Sequence, residues 1–389
     1  MVHSRHISDH NFYLYSQANQ WISLQKAEGA SVMMNQVDRY LGQTLVNGTF
    51  TVLTALMSLH YIFGLVEQMR SVGKGDYQLP DAAWFMLLDL PQALVEIFPM
   101  AMLLGALLSI GNLATQSELV VLRAAGMSVS RIVVGVVKTG LVLAVAIFIL
   151  GESIAPKLKN QAEIYRAEKM SSGKVSKSKE SLWARDGNHI VYIRSVLSQD
   201  YLEGVVIYDV AANQLSLNRI IEAKRARFND KGVWSLKDAT IITFNDEQIV
   251  REEKSELSWS SLLSASQLSL LTIEPEELDL AELTDYRKYL ENSGIDSSKQ
   301  DLVFWNKVLQ PVSSITMLLL SMGFIFGPLR SGNFGLRLVV GVIAGFLFYL
   351  SNKMFGPVTL VYNVPAFIGA AAPIGLALLL SAMLYRKAG

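Results

Sequence analysis

The chain of 389 residues contains no cysteine. Disulfides, thiolate metal sites, iron–sulfur clusters and a cysteine nucleophile are therefore excluded, while the compartment is left open. Charge is the second scarcity. Only 17% of residues are Asp, Glu, Lys or Arg, below the roughly one quarter usual in soluble domains. Basic and acidic residues balance at 34 each, so no bulk attraction to nucleic acid arises. Chemical signatures are missing too. No G-x-x-x-x-G-K-[ST] occurs. Ser71-Val72-Gly73-Lys74-Gly75 and Ser172-Gly173-Lys174-Val175 both lack its spacing and its hydroxyl. The chain thus carries no P-loop for ATP. H-E-x-x-H, G-x-S-x-G and a clustered His/Asp metal set are also absent. This predicts a chain that is not an enzyme, binds no cofactor and has no metal site.

What is present is apolar. Half the residues are hydrophobic, and the few charges are unevenly spread. Long stretches have almost none, and one central stretch is rich in them. That is the pattern of an integral membrane protein with an extramembrane domain. Residues 1–33 are polar and mixed, with His3, His6 and His10. They lack the apolar core and small-residue site of a signal peptide. They read as an N-terminal extension, disordered or from a mis-assigned start, and their histidines as surface residues rather than metal ligands.

Six runs are long enough to span a bilayer: residues 45–66, 97–113, 132–154, 303–326, 336–354 and 365–384. An interfacial helix at 35–41 is expected to lead into the first. Another, at 82–94, broken by Asp89 and Pro91, is expected to lie at the interface before the second. Gly105 and Ala106 permit close packing of the second span. A loop at 355–364 should separate the fifth span from the sixth. His60 lies in the first span, either as a ligand contact or satisfied by a neighbouring helix. Glu96 and Glu152 sit at span ends, as a proton relay or as solvated carboxylates.

Between the third and fourth spans, residues 157–300 form a separate domain. It opens helically to Met170. Short β-rich segments follow at 181–184, 189–196, 204–210, 220–228, 232–236, 239–244 and 256–259, separated by turn signals such as Asp186-Gly187-Asn188. Many short strands at close spacing predict a sandwich or jelly roll. Residues 274–290 return to helix. The fold class is therefore a six-span α-helical membrane protein with an inserted jelly-roll-like β domain. Its parts are residues 34–156 with three spans, 157–300, and 301–389 with three more.

Short-loop charges set the orientation. With the N-terminus inside, Arg39, Arg123, Arg131, Arg330, Arg337, Arg386 and Lys387 are cytoplasmic. Arg70, Lys74 and Lys353 fall outside. The positive-inside rule then places both termini in the cytoplasm and the β domain beyond the membrane.

Two groups of residues remain as candidate sites. The first is residues 117–126, between the second and third spans. Ser117 is expected to cap a short helix, Glu118 suits its positive first turn and Gly126 its left-handed stop. Leu119, Val120 and Leu122 need cover, while Glu118 and Arg123 suit a charged partner groove. The alternative is an interfacial helix resting on lipid. The second group is the outer basic residues: Arg70, Lys74, Lys157, Lys159, Arg166, Lys169 and Lys307. Singly they read as solvated charges. Together they ring the depth of lipid head groups, where a phosphorylated glycolipid would meet them.

Residues 116–128, with Phe326-Gly327-Pro328-Leu329-Arg330 and Phe355-Gly356-Pro357-Val358-Thr359-Leu360-Val361-Tyr362, closely resemble the lipopolysaccharide-export permeases, the LptF/LptG family. The LptG-type subunit is the nearer match, and the resemblance covers residues 34–387. It implies a permease subunit of an ABC transporter in the bacterial inner membrane, with its β domain in the periplasm. The implied partners are a homologous LptF-type permease, an LptB-type ATPase dimer that uses ATP and Mg, an LptC-type anchored protein and an LptA-type periplasmic bridge. Residues 117–126 then match the coupling helix, and the first and fifth spans the lateral gates. Head-group contacts would fall to Arg70, Lys74, Arg166, Lys169 and Lys307. Members of this family often have more basic residues near the outer end of the first span, and here Gly64 and Ser71 occupy neighbouring positions without charge. Outside this family, an ATPase-coupled mechanotransmitter or a membrane scaffold would also fit the composition.

Overall fold

The computed structural model describes residues 6–170, 182–186, 189–198, 201–210, 217–229, 233–244, 249–260, 273–327 and 333–388. The helical part begins with α1 (His6–Gln68), a short 3₁₀ turn (Met69–Ser71) and α2 (Leu79–Thr115). The short α3 (Glu118–Ala124) leads into α4 (Val129–Ser153) and α5 (Ala155–Met170). After the β domain come α6 (Leu280–Asn292), α7 (Ser298–Phe326), α8 (Phe334–Val361) and α9 (Ala366–Ala388). Six of the described helical stretches are long and apolar enough to cross a membrane: 36–71, 79–115, 129–170, 298–326, 335–361 and 366–386.

Three expectations change. The expected interfacial helix at 35–41 and the first span form one helix, whose backbone is helical back to His6. The break at Asp89 and Pro91 does not occur, because α2 runs through Pro91 and Pro99. Asp89 is paired with Lys159 at 2.8 Å and faces His60 at 3.5 Å, so its charge does not force the helix to end. Membrane helices accommodate internal proline when neighbours satisfy the freed backbone. Likewise α8 continues through Gly356 and Pro357 to Val361, so the loop before α9 shrinks to residues 362–365. Asn333 starts α8, its side chain accepting from the Leu336 N–H at 2.9 Å; the rest of the basic turn 329–332 lies outside the described residues.

The membrane core is built around α2 and α7. Phe98, Met102, Leu103, Leu107 and Ile110 of α2 meet Met317, Leu318 and Ile325 of α7, with Leu41 and Leu45 of α1 and Ile132 and Val136 of α4. Gly105 lets α1 approach α2 closely, as expected. A Cβ there would lie 2.5 Å from the Thr49 Cα of α1.

The β domain holds six strands: β1 (Leu182–Asp186), β2 (His189–Ser198), β3 (Tyr201–Val210), β4 (Leu217–Phe228), β5 (Trp234–Phe244) and β6 (Ile249–Trp259). All neighbours are antiparallel and consecutive, in the order β1-β2-β3-β4-β5-β6. The described strands therefore make a single meander, rather than the crossed two-sheet order of a complete jelly roll. The segments expected at 232–236 and 239–244 are one strand, β5. Polar Lys237 and Asp238, the latter at φ +54°, interrupt its apolar pattern without breaking the ladder. Strand β6 begins seven residues earlier than expected. Its exposed Arg251, Glu252, Glu253 and Lys254 give an edge strand charge on both faces, which hides it from pattern reading and discourages stray pairing. One face of the sheet is apolar and continuous, with Val191, Val205, Ile207, Trp234 and Leu236 buried. Tyr289 of α6 packs on this cluster and donates its hydroxyl to the Arg185 carbonyl at 2.9 Å, tying the sheet to the helices.

Candidate coupling and lipid-contact sites

α3 lies at the end of the bundle opposite the sheet. Its start departs from expectation. Ser117 takes a left-handed conformation (φ 64°), and its side chain makes no capping bond. With α2 ending only at Thr115, the chain must reverse within two residues. A left-handed residue makes that turn in place of an extended N-cap. The helix stop is as expected. Gly126 has φ +94°, the Gly126 N–H donates to the Arg123 carbonyl and the Met127 N–H to the Leu122 carbonyl. This is a Schellman closure, and it needs a residue free of Cβ strain.

The side chains of α3 divide by face. Leu119 is buried in the membrane core and Leu122 packs against that core, so both anchor α3 to its own chain. Val120 and Val121 are exposed. Of the apolar residues expected to need cover, Leu119 and Leu122 find it within this chain, and the exposed apolar pair is Val120 with Val121. A cleft of ≈ 450 Å³ opens beside them, lined by Ala114, Leu119, Val120, Arg123, Ala124, Ile325 and Phe326. Glu118 is half-buried and accepts the Tyr40 hydroxyl of α1 at 2.7 Å through one carboxylate oxygen. Arg123 is exposed at the cleft. Sequence reasoning missed Tyr40, Ile325 and Phe326. Phe326 opens a quoted motif, which was a usable signal. Nothing near Tyr40 marks it as a partner of a residue 78 positions away.

Two further contacts brace this end. Asp38 of α1 pairs with Arg131 at 3.0 Å and Lys138 at 3.5 Å, both on α4. Arg337 is not a solvated loop charge. It is buried in the first turns of α8, and its guanidinium donates to the Gly111 carbonyl and, at 2.7 Å, to the Thr115 Oγ1 of α2.

At the other end, the basic ring resolves into two kinds of charge. Lys159 is paired with Asp89 at 2.8 Å and Glu163 at 3.4 Å. Arg166 lies 3.8 Å from Glu163 and over the Phe85 ring, and Lys169 lies 3.6 Å from Asp81. Lys307 lies 3.8 Å from Glu152, which also accepts the Leu280 N–H. Glu152 is therefore a tie between α4, α6 and α7. Arg70 and Lys74 are exposed, with no carboxylate within 4 Å among the described residues. Their loop is held against the end of α5. Asp76 donates its N–H to the Lys169 carbonyl at 2.8 Å, and Gly75 at φ +60° sits so close that a Cβ would lie 2.5 Å from the Met170 carbonyl oxygen. The fold thus brings Arg70, Lys74, Arg166 and Lys169 to one corner, and leaves Lys307 beneath α6. Near this corner, burial pushes the Glu277 carboxyl up to about 7; Lys159 opposes this and Glu163, Glu274 and Asp89 add to it. No group of three or more metal-binding side chains is found among the described residues.

Comparison with known proteins gives a consistent result. Residues 39–387 match the family described as lipopolysaccharide export system permease LptF/LptG. The chain is 38% identical over 342 residues to the lipopolysaccharide export system permease protein LptG of Haemophilus influenzae, covering 88% of this chain and 95% of that one. It is 38% identical over 340 residues to the LptG of Escherichia coli, covering 87% and 94%. Identity to the Escherichia coli LptF protein is 25% over 168 residues, or 42% of this chain. With the match spanning all six apolar helices and the inserted sheet, this chain belongs to the LptF/LptG family of lipopolysaccharide export permeases.

Proposed function

We propose that this chain is the LptG-type subunit of an inner-membrane transporter that lifts lipopolysaccharide out of the outer leaflet and passes it to a periplasmic bridge. Moving acyl chains from a bilayer into water costs ~0.8 kcal/mol per CH₂, so a many-chained lipid cannot leave unaided. It has to pass from one apolar surface to another, driven from outside. In this reading the lipid enters beside α1 and α8 and moves on to the apolar face of the sheet. The exposed Arg70 and Lys74, with Lys169, meet its phosphates. A homologous LptF-type subunit covers the open sides of α1 and α8, and LptC-type and LptA-type proteins extend the sheet's path. Both termini are cytoplasmic, and an LptB-type ATPase pair supplies ATP hydrolysis with Mg.

One observation carries the energy-coupling step. The sequence has no nucleotide motif, yet α3 is a built projection with exposed Val120 and Val121 beside a cleft and a carboxylate at its start. A partner's basic residue can engage the oxygen of Glu118 that Tyr40 does not use. Truncating such a pair at an interface costs ~2–5 kcal/mol. Glu118→Lys is expected to abolish capture of the ATPase and lipid export while the isolated subunit stays folded, as followed by pull-down and ATP hydrolysis in the reconstituted complex. Full assembly and turnover in that variant would return α3 to the role of a helix resting on lipid.

A further inference from the structure

α1 and α8 are the two spans least enclosed by the rest of the chain. Their apolar windows are 11% and 17% buried, against 61% for α2 and 56% for α7. A helix so sparsely packed is free to shift against the bundle, but it moves with α3 only if something links them. Among the described residues, each has a polar link towards the coupling segment, besides the Asp38 pairs that tie α1 to α4. The Tyr40 hydroxyl joins α1 to Glu118, at the start of α3. The Arg337 guanidinium joins α8 to Gly111 and Thr115, in the last turn of α2 that leads into α3. Gly111 and Thr115 are themselves joined, the threonine hydroxyl donating to the same carbonyl at 3.2 Å. The two links differ in chemistry and in target, so they can be cut separately.

We infer that Tyr40 and Arg337 are positioning residues that transmit displacement of α3 to the two loosely packed spans, Tyr40 to α1 and Arg337 to α8. This deepens the proposed function and rests on α3 being the ATPase dock. Hydrogen bonds to charged groups are directional and are lost outright when one partner is removed. A small shift of the α3 start therefore carries the end of α1 with it, and a shift of the α2 end carries α8. Apolar contacts alone would let the helices slide.

The test uses the complete complex of this subunit, the second permease and the ATPase in nanodiscs containing lipopolysaccharide. This chain lacks cysteine, so pairs of spin labels can be placed without background from it. Phe63→Cys with Val142→Cys reports α1 against α4, and Phe346→Cys with Val142→Cys reports α8 against α4; all three positions are exposed. The unmodified chain is expected to change both distances on ATP binding. Tyr40→Phe deletes one hydroxyl and should abolish the α1 change while keeping the α8 change. Thr115→Val removes one of the two acceptors of Arg337 and should reduce the α8 change while keeping the α1 change, with less risk to folding than replacing buried Arg337. In both variants assembly and ATP hydrolysis persist, while lipid delivered per ATP falls about tenfold, the factor matching ~1.4 kcal/mol of lost coupling. Unchanged distances and delivery in both variants, with the ATPase bound, overturn the transmission role alone. Loss of both changes in each variant also overturns it, because it shows general loosening instead of separate links. Failure of the unmodified chain to bind the ATPase overturns the docking reading, and this inference falls with it.

Discussion

α7 and α8 are consecutive in the chain and similarly apolar, yet one is 56% buried over its apolar window and the other 17%. The difference lies in which residues interrupt the apolar run. α7 carries Ser313, Ser314, Thr316, Ser321 and Gly323, all buried. Several hydroxyls bond back to their own helix: Ser314 to the Gln310 carbonyl, Thr316 to that of Val312 and Ser321 to that of Leu318. Polar groups satisfied in this way leave a slim, dry face against which α2 and α9 can close. α8 instead shows Val339, Ile343, Phe346 and Leu347 on an uncovered face. Hydropathy reports that both helices can cross a membrane. It does not report that one is a pillar of this chain and the other presents its bulk to lipid or to another subunit.

The largest expected effect comes from the charge pairs at the sheet-side ends of the same two helices. Lys307 of α7 and Glu152 are 15% and 20% exposed, whereas Lys353 of α8 and Glu96 are 61% and 50% exposed and 4.0 Å apart. Removing one member of an enclosed pair strands the other, at a cost of ~3–5 kcal/mol. Removing one member of an exposed pair costs ~0–1 kcal/mol. Lys307→Met should lower the thermal unfolding midpoint in detergent markedly, and Lys353→Met barely. Equal shifts would break the contrast between pillar and free face, and would favour a head-group role for Lys307 over the structural one.

Glycine crossings sharpen the same contrast at smaller scale. A Cβ on Gly105 of α2 meets the Thr49 backbone of α1 at 2.5–2.6 Å, and backbone cannot step aside. Gly105→Ala should therefore destabilise by ~1–3 kcal/mol, the range for overpacking. A Cβ on Gly341 of α8 meets only the ends of the Leu104 and Leu107 side chains, at 2.7 Å. Those can rotate, and the helix gains ~0.5–1 kcal/mol from replacing glycine with alanine. Gly341→Ala should be near neutral in the same unfolding assay.

Much of the fold was legible because bilayers impose length and apolarity on any span, and six such runs stand out without reference to partners. Boundaries were less legible. Pro91 and Pro357 carry stop signals, but neighbouring helices override them. The candidate sites were legible in residue type and not in allegiance. Glu118 and Arg123 announce a charged helix, yet only the three-dimensional arrangement gives Tyr40 to Glu118 and turns Leu119 inward. Arg337 reads as one more cytoplasmic charge, because no local pattern separates a snorkelling arginine from one clamped on a backbone carbonyl across 226 positions. The cations of the basic ring also looked alike, although carboxylates lie beside Lys159 and Lys169 while Arg70 and Lys74 have none within 4 Å among the described residues.

The smallest expected effect concerns the turn that supports α7 from outside. Leu278 packs with Leu283 and Val303 at the outer end of α7, which places the neighbouring Glu277 where water is scarce. Burial raises its carboxyl to about 7, whereas Glu276, one residue before, is exposed and 3.7 Å from Lys299. The sign follows from proton counts. Between the ordinary glutamate range and about pH 7, the folded chain keeps a proton on Glu277 that the unfolded chain has released. Stability contributed by this group therefore falls as pH rises through that window, and the loss is complete above it. Glu277→Gln fixes the neutral form. It should raise the unfolding midpoint relative to the unmodified chain at pH 8, and change it little at pH 5. If Glu277→Gln lowers the midpoint at pH 8, the charged carboxylate is supporting the turn through Lys159, and the outer end of α7 is held by charge rather than by its apolar contacts.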